Sequence, residues 1–144
     1  MDIKILTMTL SDLNNIKDIL ETQFDNFWNE KVLEEELSNG FSKYIVAKFE
    51  DEIVGFAGLK IILDEADIMN IVTKKCYRNQ GIASLLLENL ITMSHKLNLN
   101  SINLEVNEAN AEAIHLYKKF EFQEIGIRKN YYNDKNAIIM QKKL

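Results

Sequence analysis

Across residues 82–97 the apolar positions Leu85, Leu86, Leu90 and Met93 fall on one side of a helical wheel, which predicts a long amphipathic helix. Shortly after it the period changes. Ile102, Leu104 and Val106 alternate with polar residues, the pattern of a half-buried strand. The same two periods divide the rest of the chain. Strands are predicted over 3–8, 43–49, 53–63, 66–73, 122–128 and 137–141. Helices are predicted after Ser11-Asp12, read as an N-cap before Leu13, Ile16, Ile19 and Leu20, then over 30–38 and 111–120. Asn39-Gly40 is a helix stop, and the polar turn Glu50-Asp51-Glu52 makes a hairpin of the strands beside it. The order β-α-α-β-β-β-α-β-α-β-β predicts an α/β class with a mixed sheet. With no proline, five glycines and no repeat or low-complexity stretch, residues 1–144 read as one domain large enough to bury a sizeable core.

Composition narrows the class without naming a function. At 47% hydrophobic and 27% charged residues the chain reads as soluble and globular. No apolar run approaches the roughly 20 residues a membrane span needs. Met1-Asp2-Ile3-Lys4 lacks the features of a signal peptide, and the single cysteine, Cys76, offers no internal disulfide. A cytoplasmic location is the expectation. The net charge of −5 argues against broad nucleic-acid binding, yet a local basic patch can still hold an anionic cofactor. His95 and His115 fall on different predicted helices, with no metal-ligand spacing around them, and no metal is expected.

One junction carries chemistry. The strand ending in Ile71-Val72-Thr73 leads into Arg78-Asn79-Gln80-Gly81-Ile82-Ala83-Ser84, where the long helix begins. First-turn amides of a helix are unpaired and carry a partial positive charge, so a diphosphate can accept from them if the backbone comes close. Gly81 and Ala83 are small enough to allow that approach, and Arg78 can add a charge-assisted contact. Alone, the same residues also describe a polar loop whose glycine starts a helix.

Set beside the rest of the chain, this turn resembles that of the GNAT superfamily of N-acetyltransferases, whose motif is [RQ]-x-x-G-x-[GA] between a strand and a helix. Asn103-Leu104-Glu105-Val106, Asn110, Ala113-Ile114-His115-Leu116-Tyr117, Arg128-Lys129-Asn130-Tyr131-Tyr132 and Ala137-Ile138-Ile139-Met140 are similar to the RimI-type branch, which acetylates the N-terminal alanine of a ribosomal protein. The resemblance implies a single-domain fold with a mostly antiparallel seven-stranded sheet and helices on both faces. It implies acetyl-CoA as co-substrate, its pyrophosphate on Arg78, Asn79, Gln80, Gly81, Ile82, Ala83 and Ser84. Its pantetheine arm would run along Ile71, Val72 and Thr73, where the strand at 104–106 splays away, and Asn110 would contact it. A backbone N–H near Thr73 would face the thioester oxygen.

It further implies Glu105 as base and Tyr117 as acid for direct transfer in a ternary complex, without an acetyl-enzyme. Read from its strand alone, Glu105 is a solvent-facing carboxylate opposite Ile102, Leu104 and Val106. Tyr117 read alone is a core aromatic with Ala113, Ile114 and Phe120, and Asn110 a simple N-cap. Cys76 is expected to be incidental. Trp28, Tyr131 and Tyr132 would flank the entrance for a protein or peptide N-terminus, although Trp28 fits equally as packing under its loop. Strand alternation predicts that only one of the two tyrosines faces the acceptor. Two other functions stay open: acetylation of a lysine side chain or small amine, and a silent acyl-CoA-binding module. Retention of Glu105 and Tyr117 weighs against the silent module. Three positions depart from the family pattern: Glu121 stands where glycine is usual, Lys75 where proline is common, and Asn79 where glycine or arginine is common. Glu121 thereby predicts a different helix end.

Overall fold

Tyr44, Ile45, Val46 and Ala47 are all buried, although successive residues of a strand point to opposite faces. Both faces of their sheet must therefore be covered, and they are. The computed structural model describes residues 1–24 and 29–144. Its elements are β1 (Ile3–Thr7), α1 (Leu10–Ile16), α2 (Leu20–Gln23), α3 (Glu30–Ser38), β2 (Ser42–Phe49), β3 (Glu52–Ile62), β4 (Glu65–Thr73), α4 (Ile82–Lys96), β5 (Ser101–Asn107), α5 (Ala111–Lys119), β6 (Gln123–Tyr132) and β7 (Lys135–Lys143). The seven strands form one sheet in the order β1-β2-β3-β4-β5-β7-β6.

Alternation then sorts the core. Ile45 and Ala47 join Leu86, Leu87 and Leu90 of α4 and Ile102, Leu104 and Val106 of β5 on one face. Tyr44 and Val46 join Leu13, Ile16, Leu20 and Leu33 from the first three helices on the other. Each wholly buried leucine contributes about 1.5–3 kcal/mol relative to exposure, so these two stripes set which way every strand faces.

The first helix begins earlier than its sequence predicts. Thr9, not Ser11-Asp12, is the N-cap: its Oγ1 accepts from the Asp12 amide at 3.1 Å, and its own amide donates to Asp12 Oδ2 at 2.8 Å. Asp12 is the third residue of a capping box, which is why a good cap residue sits inside the helix. Its carboxylate also lies 3.0 Å from Lys48 Nζ. Burial pushes the Asp12 carboxyl up, but the Thr9 and Lys48 contacts outweigh burial and hold it below the usual range. The predicted single helix is also divided, by a 3₁₀ turn at Lys17–Ile19 between α1 and α2.

All strand pairs are antiparallel except β4 with β5. That parallel pair is short: Glu65 with Ser101, Ala66 with Ile102 and Asp67 with Asn103. Beyond it β4 stays paired with β3 as far as Thr73, and β5 stays paired with β7 as far as Asn107. The sheet thus opens as a wedge between residues 68–73 and 104–107. Along the same stretch β4 carries a bulge, since Gly58 pairs with Asn70 and Leu59 with Ile68, leaving Met69 as the extra residue.

Candidate active site

The turn at the open end of the wedge is built on two left-handed residues, Asn79 (φ 62°) and Gly81 (φ 81°). Gly81 is the N-cap of α4 and has no side chain to turn back on the helix, so the first-turn amides stay available. A Cβ at Gly81 would meet nothing within 4 Å among the described residues, so that side of the turn is open to them. Open space, unpaired amides and the positive end of a fifteen-residue helix together make a cradle for an anion.

Packing behind the turn holds it in place. A Cβ on Gly55 of β3 would come within 2.9 Å of the Val72 carbonyl oxygen and 3.1 Å of Ile82 Cγ2. The missing side chain lets the start of α4 settle against β3 and β4. In front of the turn, a 3₁₀ segment at Lys75–Tyr77 occupies the place where the family pattern has proline. Glu52 braces it on both sides, accepting from Lys74 Nζ at 2.6 Å and from Tyr77 Oη at 2.9 Å. Cys76 lies exposed on this segment.

A cavity of about 730 Å³ runs from the turn into the wedge. Ile71 and Thr73 line it from β4, Arg78, Asn79 and Gly81 from the turn, Ile82, Ala83 and Ser84 from the first turn of α4, and Asn110 and Tyr117 from the far side. Two residues expected at the cofactor do not line this cavity. Val72 packs with the opposite core, as strand alternation requires, and Gln80 is exposed at the turn. Asn110 is the N-cap of α5, its Oδ1 accepting from the Ala113 amide at 3.1 Å, so it serves the cap while facing the cavity. His115, read from the sequence only as part of the family segment and as no metal ligand, also lines the cavity, as does Lys119, which the sequence did not single out. Their i, i+4 spacing on α5, with Glu112 one turn earlier, was the available signal. Trp28 lies outside the described residues.

The other side of the wedge carries the candidate acid and base. Glu105 projects from β5 away from Ile102, Leu104 and Val106, with its side chain 29% exposed. Its Oε1 lies 2.8 Å from Nη2 of Arg128 on β6. Tyr117 packs its ring 5.8 Å from that of Phe122, at 59°. Burial, with the Tyr132 phenol nearby, pushes the Tyr117 hydroxyl up to about 12. At neutral pH it keeps its proton. Burial and then the neighbouring Tyr131 and Glu105 also raise the Tyr132 phenol. Glu105, Tyr132 and Tyr117 therefore share one electrostatic neighbourhood.

Residues 13–122 match the model of the acetyltransferase (GNAT) family. The chain belongs to the GNAT family. It is 33% identical over 143 residues to the [ribosomal protein bS18]-alanine N-acetyltransferase of Haemophilus ducreyi, covering 94% of this chain and 97% of that one. It is 36% identical over 119 residues to the protein of the same description from Escherichia coli K12, covering 78% of each. The crystal structure of the ribosomal-protein-S18-alanine N-acetyltransferase from Escherichia coli superposes with a TM-score of 0.90 at 31% identity, over 99% of this chain and 94% of that one.

Two local features of this GNAT chain differ from their sequence expectation. Glu121 does not change how α5 ends. It adopts the left-handed backbone itself, at φ 70°, and the Phe122 and Glu121 amides donate to the Tyr117 and Lys118 carbonyls at 3.0 and 2.9 Å. This is a Schellman cap with glutamate in the glycine position. The hairpin tip differs too. Tyr131 and Tyr132 belong to β6 rather than to a loop between strands. Arg128 pairs with Ala137 and Tyr132 with Lys135, so extra residues bulge from β6, and Asn130 takes a positive φ of 54°. Asn136 holds the bulge, its Oδ1 accepting from the Asn130 amide at 3.0 Å. Alternation is broken there, and the two tyrosine rings stack with centroids 4.9 Å apart at 15°.

Proposed function

We propose that this GNAT enzyme transfers acetyl from acetyl-CoA to the α-amino group at a protein N-terminus, with the alanine of ribosomal protein bS18 as the leading acceptor. The observation that carries the reading is the wedge between β4 and β5. Its cavity joins an anion cradle at Gly81 to the protonated phenol of Tyr117, and β5, the strand across the wedge, carries the Glu105 carboxylate, in a chain whose relatives bear that activity in their names. The cavity fits an extended nucleotide-bearing ligand: the diphosphate would rest on the α4 amides beside Arg78, and the arm along Ile71 and Thr73.

When bound, acetyl-CoA supplies an activated acyl group on a good leaving sulfur. The chain supplies the rest. β4 offers backbone amides and carbonyls unpaired with β5 beyond Asp67, so an amide-bearing arm can add to it as a strand would. Glu105 accepts the proton that an ammonium acceptor must lose before attack. Tyr117 holds a proton to give to the departing sulfur. The stacked Tyr131 and Tyr132 form an amphipathic wall for a peptide backbone. A ribosomal acceptor also places the enzyme in the cytoplasm.

The test mixes the protein with acetyl-CoA and peptides differing only in their first residue, and locates the acetyl group by mass spectrometry. Acetyl on the α-amine is the expected product; acetyl confined to lysine side chains overturns the reading. Glu105→Gln is expected to lower turnover by roughly 10²-fold with little change in acetyl-CoA affinity.

A further inference from the structure

The carboxylate assigned as base already carries a cation, and it is the chain's own. Arg128 Nη2 lies 2.8 Å from Glu105 Oε1. The same guanidinium stands 5.0 Å from the centre of the Tyr131 ring, which is stacked on Tyr132. Arg128 is 57% exposed and Glu105 29%, so the guanidinium reaches the carboxylate from the solvent side. An acceptor ammonium that is to lose a proton to Glu105 must come within about 2.6–3.2 Å of that carboxylate. Arg128 occupies that range now.

We propose that Arg128 is a place-holder for the acceptor ammonium, pairing with Glu105 until a protonated N-terminus arrives and takes its place. The proposal rests on the reading of Glu105 as the base. Three properties of the arrangement support it. A guanidinium stays charged at any working pH, so Arg128 neutralises the carboxylate without exchanging protons with it. The face of Tyr131 gives the displaced guanidinium a second resting place, which keeps it beside the site. The exchange is cation for cation, so the half-buried carboxylate is never left alone. An acceptor without a positive charge has nothing to exchange. The acetylated product is such a molecule, and the return of Arg128 to Glu105 helps it leave. Arg128 is thus a specificity-determining residue that acts through Glu105.

Binding of a short peptide beginning with alanine and lacking charged side chains tests this by calorimetry without acetyl-CoA, its N-terminus either free or acetylated. Arg128→Met should tighten the free-amine peptide about two- to fivefold, as removal of a solvent-exposed ion pair permits. The acetylated peptide should bind as it does to the wild type. Arg128→Lys should restore the wild-type preference, and in a Glu105→Gln background Arg128→Met should change nothing. In turnover the peptide KM should fall by the same factor. Weaker binding of both peptides would make Arg128 a direct peptide contact and overturn the proposal, as would equal tightening of both or no change. A Glu105→Gln enzyme with full turnover would instead remove Glu105 as base, a separate outcome that the binding measurements do not depend on.

Discussion

The amide of Phe122 donates to the carbonyl of Tyr117 at 3.0 Å, and the same two residues pack ring against ring. The helix cap and the placement of the candidate acid are therefore one arrangement. It is closed by Glu121, a residue with a Cβ in backbone that favours glycine. Glu121→Gly should stabilise the protein by about 1 kcal/mol, raising Tm by about 2–5 °C. A thermal melt checks this. An unchanged or lower Tm would mean that the Lys142 contact to Glu121, at 3.9 Å, outweighs the backbone strain.

Tyr117 also has a signature in alkali. Its phenol is pushed up to about 12, above the ordinary value near 10. The unfolded chain releases this proton first, so its contribution to stability is whole below about pH 10 and is lost as pH rises towards 12. The difference in near-ultraviolet phenolate absorbance between wild type and Tyr117→Phe should step near pH 12. A step near 10 would return the hydroxyl to open solvent and weaken its assignment as acid.

Gly81→Val tests the anion cradle. The new Cβ meets nothing within 4 Å among the described residues, so the expected effect lies in backbone strain at φ 81° and in the space the ligand needs. Acetyl-CoA affinity, read by calorimetry, should fall by about tenfold or more. Unchanged affinity would move the diphosphate away from this turn.

Asp12 gives the corresponding test at low pH, away from the site. Its carboxyl is held below the usual range, so its stabilising contribution is present above about pH 4 and lost as pH falls through the folded-state value. Asp12→Asn keeps a capping side chain but loses the charge that faces Lys48. Denaturant unfolding should show a loss of about 1–2 kcal/mol at pH 7, shrinking towards zero in acid. A loss that is the same at both pH values would assign it to packing.

What the sequence made legible follows its two apolar periods. The alternation of Ile102, Leu104 and Val106 placed Glu105 on the opposite face, and the spacing in α4 put the Gly81 turn at its start. The misses have local causes. Ser11-Asp12 looks like a cap because Asp12 takes part in one, as the partner of Thr9. Tyr131 and Tyr132 were expected to alternate, but a bulge held through Asn130 and Asn136 aligns their rings. Nothing in the spacing of Glu105 and Arg128 announces their pairing, which exists only because β7 lies between β5 and β6. Glu121 misled in the other direction. The hydrogen bonds and the ring contact around it enforce the turn without glycine.

The short β4–β5 pairing has a consequence beyond ligand binding. A sheet interrupted in its middle has four edges rather than two, and unpaired edges invite other chains to add on. Here the two inner edges face each other across the wedge, with Glu65–Ser101, Ala66–Ile102 and Asp67–Asn103 joining them at one end. A foreign strand would have to enter a gap that is tethered at its apex. The molecule thus keeps unsatisfied backbone ready for a slender ligand while withholding it from its neighbours.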